Sequence, residues 1–535
     1  MTGMLNCLSG RVVPRAMAIL ASPTSVTAVA LGGVVALRTL VIAVHGEPSG
    51  VDFGNWLMFG HQALGDPLKR AADVTYPPVV PVLAVWLTSA LGVVWGTALL
   101  AGFSSVVPAV GVFTACRLLG ARWNAALAAL LLAATSSSGE AAAWGGVPQL
   151  IGLGLAALAL GLAQLVLIRR RWSEAAYLGA TLLALGATSH LILAQAAVSL
   201  CCLLVLGIVF DRTSFGPRHW PNAKSWLSLS AIAVLPMCVL VPLYVRLLPT
   251  VGQTFVSDQS SSSQSAIVSF LGAMSVIYRD APWLWKPALV LAALTPLLLF
   301  GRRHLANPLW PVCAALIVSL IAEALLSGQA RLVYLAPIAV AFALVLWLSE
   351  LAKGNWPITS HRIAPRVTGG LALNVLVVVA VAFVSVKGLM FFPVQRDFYG
   401  AYDPPGTIAG LDWLRHHTPA DSLVAVAPID GAPFGWWVQG YGRRAALVGS
   451  EDEWLNFPQE RARANEVVAM LSEPDPLDAS VMTVAHRLGV QYVLLPWAWG
   501  GLSQAQLAVF EKRNPGSVVF NNTAMVIVRV GRANS

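Results

Sequence analysis

Between residues 77 and 92 the chain reads PPVVPVLAVWLTSALG, and the topology of everything after it turns on whether this segment crosses a membrane. Basic residues collect in the cytoplasmic loops of membrane proteins. If Pro77–Gly92 spans, Arg169, Arg170 and Arg171 fall on the opposite side from Arg11 and Arg15, against that rule. If it lies along the surface as part of a loop, every basic cluster shares one side: Arg117/Arg122, the Arg169 triplet, Arg212/Arg218/Lys224, Arg302/Arg303 and Lys353/Arg362/Arg366. The sequence therefore predicts a surface or re-entrant helix here.

Outward from this point, apolar runs of roughly the 20 residues that a spanning helix needs recur from Ser25 to about Phe391. Spans are expected at 25–44, 94–115, 123–136, 149–168, 174–188, 190–210, 226–248, 285–301, 308–326, 331–350 and 367–388, about eleven in all. The 535 residues are 57% hydrophobic and only 11% charged, with a mean hydropathy of +0.71. Soluble domains average about 25% charged, so no soluble fold could hide this much apolar surface. The first apolar run is longer than a cleavable signal, which predicts a retained first helix.

The net charge of +9 sits in short segments between apolar runs, as the positive-inside rule requires, and not in a nucleic-acid patch. An odd number of spans then puts the C-terminal region outside the cytoplasm of a bacterial inner membrane. The six cysteines lie in or beside apolar segments, with no CxxC and no His/Cys metal spacing. The tract DQSSSSQS (Asp258–Ser265) reads as an outer loop, and no internal repeat of the kind that marks transporter halves is evident. Residues 1–391 thus form a transmembrane domain with an outer loop at 46–92, and residues 392–535 a water-soluble domain. In the latter, helices at about 405–417, 456–472, 478–488 and 503–513 alternate with strands at about 423–427, 491–495, 517–520 and 524–530, an α/β pattern.

Candidate chemistry starts in the first outer loop. Asp52, in GVDFGNWLMFGHQALGDP (Gly50–Pro67), follows the first span closely, at the outer boundary where a lipid-borne substrate would lie. As a general base it could activate an acceptor hydroxyl; as a structural group it could cap a helix. Tyr76-Pro77-Pro78 sets an extended, rigid entry into the apolar segment, since proline fixes its own φ and restrains its neighbour. Arg331, in SGQARLVYLAP (Ser327–Pro337), is placed at a span boundary to snorkel or to hold a phosphate in bidentate fashion. Arg38 and Glu323 lie within spans, where ionisable groups face a cavity or each other. His190, in the outer turn Thr188-Ser189-His190, would face the same aqueous space as Asp52. In the soluble domain FGWWVQGYGRR (Phe434–Arg444) offers Trp436 and Trp437 either as platforms for a sugar ring or as core.

An acid early in the first outer loop, a Tyr-Pro-Pro junction, a helix, and then a span ending in the basic turn RLLGAR (Arg117–Arg122) resemble the GT-C superfamily of membrane glycosyltransferases. Protein mannosyltransferases, aminoarabinose transferases and oligosaccharyltransferase catalytic subunits belong to it. The resemblance implies a GT-C-like membrane fold with an extracytoplasmic α/β domain, a catalytic role for Asp52, a second loop acid at Glu140 in SSSGEAAAWGGVPQ (Ser136–Gln149), and a donor-phosphate contact at Arg331. The Trp436-Trp437 segment is loosely similar to the acceptor-holding element of oligosaccharyltransferases, with Val438-Gln439 in place of acidic and aromatic positions. There is no Asp-Glu pair at Asp52 and no Asp-x-Asp in the second loop, which leaves a divalent cation only as a possible cofactor.

Nucleotide sugars are absent outside the cytoplasm, so the implied donor is a polyprenyl-phosphate sugar and the partner an envelope glycan, lipid or protein acceptor. Asp52 and Arg331 should then flank one head group, on the order of 10 Å apart. Two other functions compete: a lipid or glycan transporter, and a non-catalytic envelope protein with the same fold. Few acids within spans and the missing half-to-half repeat weigh against transport.

Overall fold

A computed structural model describes residues 22–48, 50, 52–68, 76–214, 223–247, 282–300, 305–326, 334–352, 366–400, 404–426, 434–447, 458–471, 473–498 and 501–530. Arg331 and the Asp258–Ser265 tract lie outside these residues. The first helix, α1 (Pro23–Ala43), starts at an extended Ser22 whose side chain accepts the Ser25 amide, with Pro23 at the first helical position, a start signal written locally. It is followed by α2 (Asp52–Ala63), α3 (Val79–Leu91), α4 (Val93–Ser104), α5 (Val107–Leu118) and α6 (Trp123–Ala133). Then come α7 (Ser136–Trp144), α8 (Val147–Arg169), α9 (Trp172–Gly186), α10 (His190–Ser214) and α11 (Ala223–Val234). The membrane part ends with α12 (Pro282–Leu298), α13 (Leu309–Leu326), α14 (Ala336–Ala352) and the long α15 (Arg366–Gly400).

Among the described residues five helical stretches are long and apolar enough to cross a bilayer: Pro23–Ala43, Val93–Leu118, Val147–Arg169, His190–Gly207 and Ser228–Leu247. The pair α6 and α7 makes a further, broken one, bent by 46°. This corrects the sequence reading at one point. Ser136–Pro148 was expected to be an outer loop; it is α7 and the start of α8, buried throughout apart from Trp144. Thr135 caps α7 with its hydroxyl on the Ser138 amide, so a serine-rich stretch that reads as loop acquires a helix start.

Helix α3 has 13 residues, about 20 Å at 1.5 Å per residue, short of a hydrocarbon core of about 30 Å. Its ends settle its course. The Val79 amide donates to the carbonyl of Ala187 (3.1 Å), in the turn between α9 and α10. At its other end, Gly92 leads into α4 and α5, which run parallel to α8: Val107 and Gly111 lie against Gly154, and Ala115 against Gly161. Val93 and Val147 therefore sit on the same face of the bundle. Since α9 returns from α8, Ala187 is on that face too. Helix α3 begins and ends there and lies along it, as the charge pattern predicted.

The C-terminal domain comprises α16 (Thr407–His417), β1 (Leu423–Val426), α17 (Gly435–Gly440), β2 (Ala445–Leu447), α18 (Pro458–Leu471), α19 (Ala479–Arg487), β3 (Tyr492–Pro496), α20 (Gln504–Arg513), β4 (Val518–Asn521) and β5 (Met525–Arg529). Its sheet has the order β2-β1-β3-β5-β4. The pairs β1–β2 and β1–β3 are parallel, while β3–β5 and β4–β5 are antiparallel. Helix α17 and strand β2 were not foreseen, because a six-residue helix rich in tryptophan and glycine carries no periodic signal. The domain's inner core gathers Val467, Val481, Val493, Phe510 and Val528, with β1 and β3 buried along their whole length, as parallel strands between helices must be.

Candidate active site

Asp52 is the first residue of α2 and is half-buried. It reaches α7 through two glycines in the left-handed region. Gly50 (φ +98°) passes so close to Trp144 and Gly145 that a Cβ on it would lie 2.7 Å from the Trp144 carbonyl carbon. Gly145 (φ +96°) closes α7 as its C-cap, the position glycine takes at no steric cost. A Cβ on Gly145 would lie 3.2 Å from that of Asp52. The contact is fastened by the Trp56 indole N–H, which donates to the Gly145 carbonyl at 2.7 Å. Four residues apart on α2, Asp52 and Trp56 share one helix face, so the acid and its fastener point at the same neighbour.

Helix α7 also carries Glu140, which is 5% exposed. Tyr399, near the end of α15, donates its hydroxyl to the Glu140 carboxylate at 2.9 Å. One turn after Glu140, Trp144 donates its indole N–H to the Tyr334 hydroxyl at 3.2 Å. Tyr334 is three residues beyond Arg331 in the sequence and opens the segment that leads into α14. Thus α7 touches the first outer loop, the approach to α14 and the exit of α15.

Tyr76 and His190, singled out separately in the sequence, meet edge to face with ring centroids 5.4 Å apart. Tyr76 also stacks on Phe59 (5.4 Å, 17°) and tilts against Trp56 (4.8 Å). The Tyr-Pro-Pro junction thereby joins the Asp52 helix to the start of α10. Such aromatic pairs favour offset and edge-on geometry and add about 0.5–1.5 kcal/mol each beyond area burial.

Trp436 and Trp437 lie elsewhere, in the crossing of α17 with α2. A Cβ on Gly54 would lie 2.5 Å from the Trp437 amide nitrogen, and Gly440 is pressed against the Gly54 carbonyl in the same crossing. Trp437 is wholly buried and Trp436 is 4% exposed. Neither offers an open ring face to a sugar; they pack the helix that carries Asp52.

The same face bears the contacts that dock the C-terminal domain, which the sequence reading missed. Glu47 accepts the Gly406 and Ile408 amides at 2.7 and 3.1 Å, a carboxylate on the start of α16, where free N–H groups and the helix dipole favour negative charge. Burial pushes its carboxyl up, against those two amides and Arg396. Arg443 pairs with Asp66 at 2.7 Å and His61 lies 3.6 Å from the same carboxylate. Burial first, and then the Arg443 charge, hold His61 down to about 4. Arg38 and Glu323, weighed above as an ion pair, are in separate places: Arg38 donates to the Thr135 carbonyl and Glu323 accepts from Gln195 at 2.8 Å. Among the described residues no three of His, Cys, Asp and Glu converge to hold a metal ion.

No protein family and no curated protein matches the chain by sequence. Solved structures do. Apo ArnT from Cupriavidus metallidurans superposes with a TM-score of 0.59 at 16% identity, over 95% of this chain and 98% of that one. The form of that protein bound to undecaprenyl phosphate gives 0.57 at 14% identity, over 95% and 99%. The chain has the ArnT fold. ArnT is an aminoarabinose transferase of the GT-C family, so the polytopic GT-C-like architecture implied by the residues around Asp52 is the architecture found. The likeness runs through both parts of the chain, membrane bundle and C-terminal α/β domain alike, since almost the whole of ArnT is covered. In the ArnT fold as this chain builds it, the Asp52 loop, the Glu140 helix and the Tyr76–His190 pair all belong to one face.

Proposed function

We propose that the protein is a membrane glycosyltransferase that moves a sugar from a polyprenyl-phosphate donor to a cell-envelope acceptor at the outer face of a bacterial inner membrane. The observation that carries this reading is the meeting of Asp52 with the end of the Glu140 helix at Gly145. It sets a half-buried carboxylate against the helix of Glu140, in a fold whose structural neighbour ArnT has been seen with undecaprenyl phosphate, and this supports the reading.

In this reading Asp52 takes the proton of an acceptor hydroxyl as its oxygen attacks the anomeric carbon. The new C–O bond forms as the bond to the phosphate breaks, and polyprenyl phosphate leaves with the electron pair. A single displacement of this kind inverts the anomeric centre. Arg331 is assigned the leaving phosphate; the Tyr334–Trp144 bond supports it, since it ties the segment just after Arg331 to the helix that meets Asp52. Glu140 binds sugar or acceptor hydroxyls, with Tyr399 setting its direction. Tyr76 and His190 form the wall on the α10 side, and Trp436 and Trp437 hold α2 in place where α17 crosses it at Gly54. The C-terminal domain, packed on this face through Glu47 and Asp66, is then extracytoplasmic.

The test is transfer in reconstituted vesicles given a polyprenyl-phosphate sugar and an envelope extract as acceptor, read as released polyprenyl phosphate. Asp52→Asn should abolish release while undecaprenyl phosphate still raises the melting temperature as in the parent. Release at the parental rate from Asp52→Asn would remove the general-base role.

A further inference from the structure

Arg38 lies in the first membrane helix, about one and a half turns below its outer end at Ala43, and is completely buried. Its Nη2 donates to the Thr135 carbonyl at 3.2 Å, and its guanidinium sits 5.3 Å over the Phe392 ring. Its Nε and Nη1 have no hydrogen-bond partner among the described residues. A cation at this depth is costly, and this one stands between the end of α6 and the start of α7, whose dipoles act on it in opposite senses. Fold stability alone gives no reason to keep it.

What Arg38 touches gives the reason. Thr135 is the break between α6 and α7, bent by 46°, and its carbonyl, which already accepts the Gly139 amide at 3.2 Å, takes a second donor there. Two donors arrive from other helices. Arg38 comes from α1, and Gln395 of α15 donates its amide to the Ser136 carbonyl at 3.0 Å. Both side chains close on Gly139, where a Cβ would lie 2.7 Å from Gln395 Oε1 and 3.4 Å from Arg38 Nη2. The next residue is Glu140, and the far end of the same helix is Gly145 against Asp52. The bend thus decides where α7 aims, and Arg38 and Gln395 fix the bend.

We infer that Arg38 is a positioning residue which, with Gln395, clamps the broken start of α7 so that Glu140 and Gly145 are presented to Asp52. Its consequence for catalysis rests on the transferase reading above; its role in placing α7 does not. Arg38→Met keeps the bulk and removes both the charge and the donor. Losing a buried cation with two unmet donors should leave thermal stability in detergent equal or higher, as when a buried charge gives way to an apolar side chain.

Placement is read by cross-linking Asp52→Cys to Gly145→Cys, with the six native cysteines replaced. The Cβ separation of 3.2 Å is a few tenths of an ångström under the roughly 3.5–4.5 Å of disulfides, and the φ of +96° at Gly145 strains a cysteine there, so rates are read relative to the pair with Arg38 present. Against that reference the pair should close about tenfold more slowly in Arg38→Met, and near the original rate in Arg38→Lys, which restores a charged donor. Transfer, measured without the cysteine pair, should fall in parallel in Arg38→Met. Unchanged cross-linking in Arg38→Met overturns the inference, as does slower cross-linking accompanied by a lower melting temperature, which is general loosening. Failure of the pair to close even with Arg38 in place overturns it too. If cross-linking behaves as expected but the parent protein transfers no sugar, the transferase reading fails and the role of Arg38 stands.

Discussion

The face that carries Asp52 and the middle of the bundle between α8, α9, α10 and α11 are built on opposite plans. On the face, charge is met by charge, an amide or a hydroxyl: Glu47 by two N–H groups at the start of α16, Asp66 by Arg443, Glu140 by Tyr399. Backbones there approach until only glycine fits, at Gly50, Gly54 and Gly440. The middle holds an apolar groove of about 300 Å³ lined by Leu167, Leu182, Leu193, Leu200, Leu204 and Met237. Lipid chains can fill such a groove with no fixed geometry, because nothing in it has a direction. Directed contacts cost conformational entropy to hold, and in this molecule they are concentrated where two carboxylates must be aimed.

The contrast breaks most sharply if the face tolerates change. Asp52→Asn is expected to reduce transfer by about 10³-fold, within the range for loss of a general base, with the melting temperature held; a loss below tenfold in a release assay would mean the face is structural. Tyr399→Phe removes a hydrogen bond to a carboxylate, a contact of about 1.5–3 kcal/mol. The transfer rate should drop by roughly one to two orders of magnitude, while undecaprenyl phosphate still raises the melting temperature.

A smaller effect concerns pH. His61 has its folded-state value lowered from 6.5 to about 4, so the unfolded or undocked chain binds the proton more readily. Docking of the C-terminal domain should be fully stable above pH 6.5, weaken as the pH falls toward 4, and lose that dependence in His61→Gln. Proteolysis of the junction at pH 7 and pH 5 measures it. The smallest change is expected in the groove: Ala197→Leu should alter transfer by less than about twofold and shift the melting temperature by no more than a few degrees, as groove-filling substitutions do.

Hydropathy was enough to show a polytopic helical part, and the basic clusters to lay α3 along one face, because both follow from how many apolar residues a bilayer demands and where cations settle. Strands β1, β3, β4 and β5 showed as short β-branched runs. Asp52 and the Tyr76 junction could be singled out as candidates because they stand beside a span. What escaped was long-range. Nothing in SSSGEAAAW announces a helix, since its N-cap at Thr135 is stabilised by Arg38 and Gln395, roughly one hundred and two hundred and sixty residues away. Trp436 and Trp437 read either as sugar platforms or as core, because their partner, Gly54, has no side chain to signal a crossing. Glu47 was passed over as a loop acid, though it caps a helix in another domain.

That crossing also sets an order of events in the making of the protein. Gly54 leaves the ribosome early and Gly440 roughly 390 residues later, a delay of about 20–80 s at 5–20 residues per second. Throughout that interval the helix bearing Asp52 waits at the membrane with its seam open. Any chain cut short before α17 inserts its spans and is left with the Asp52 helix uncovered, so the seam at Gly54 closes only when synthesis has passed Gly440.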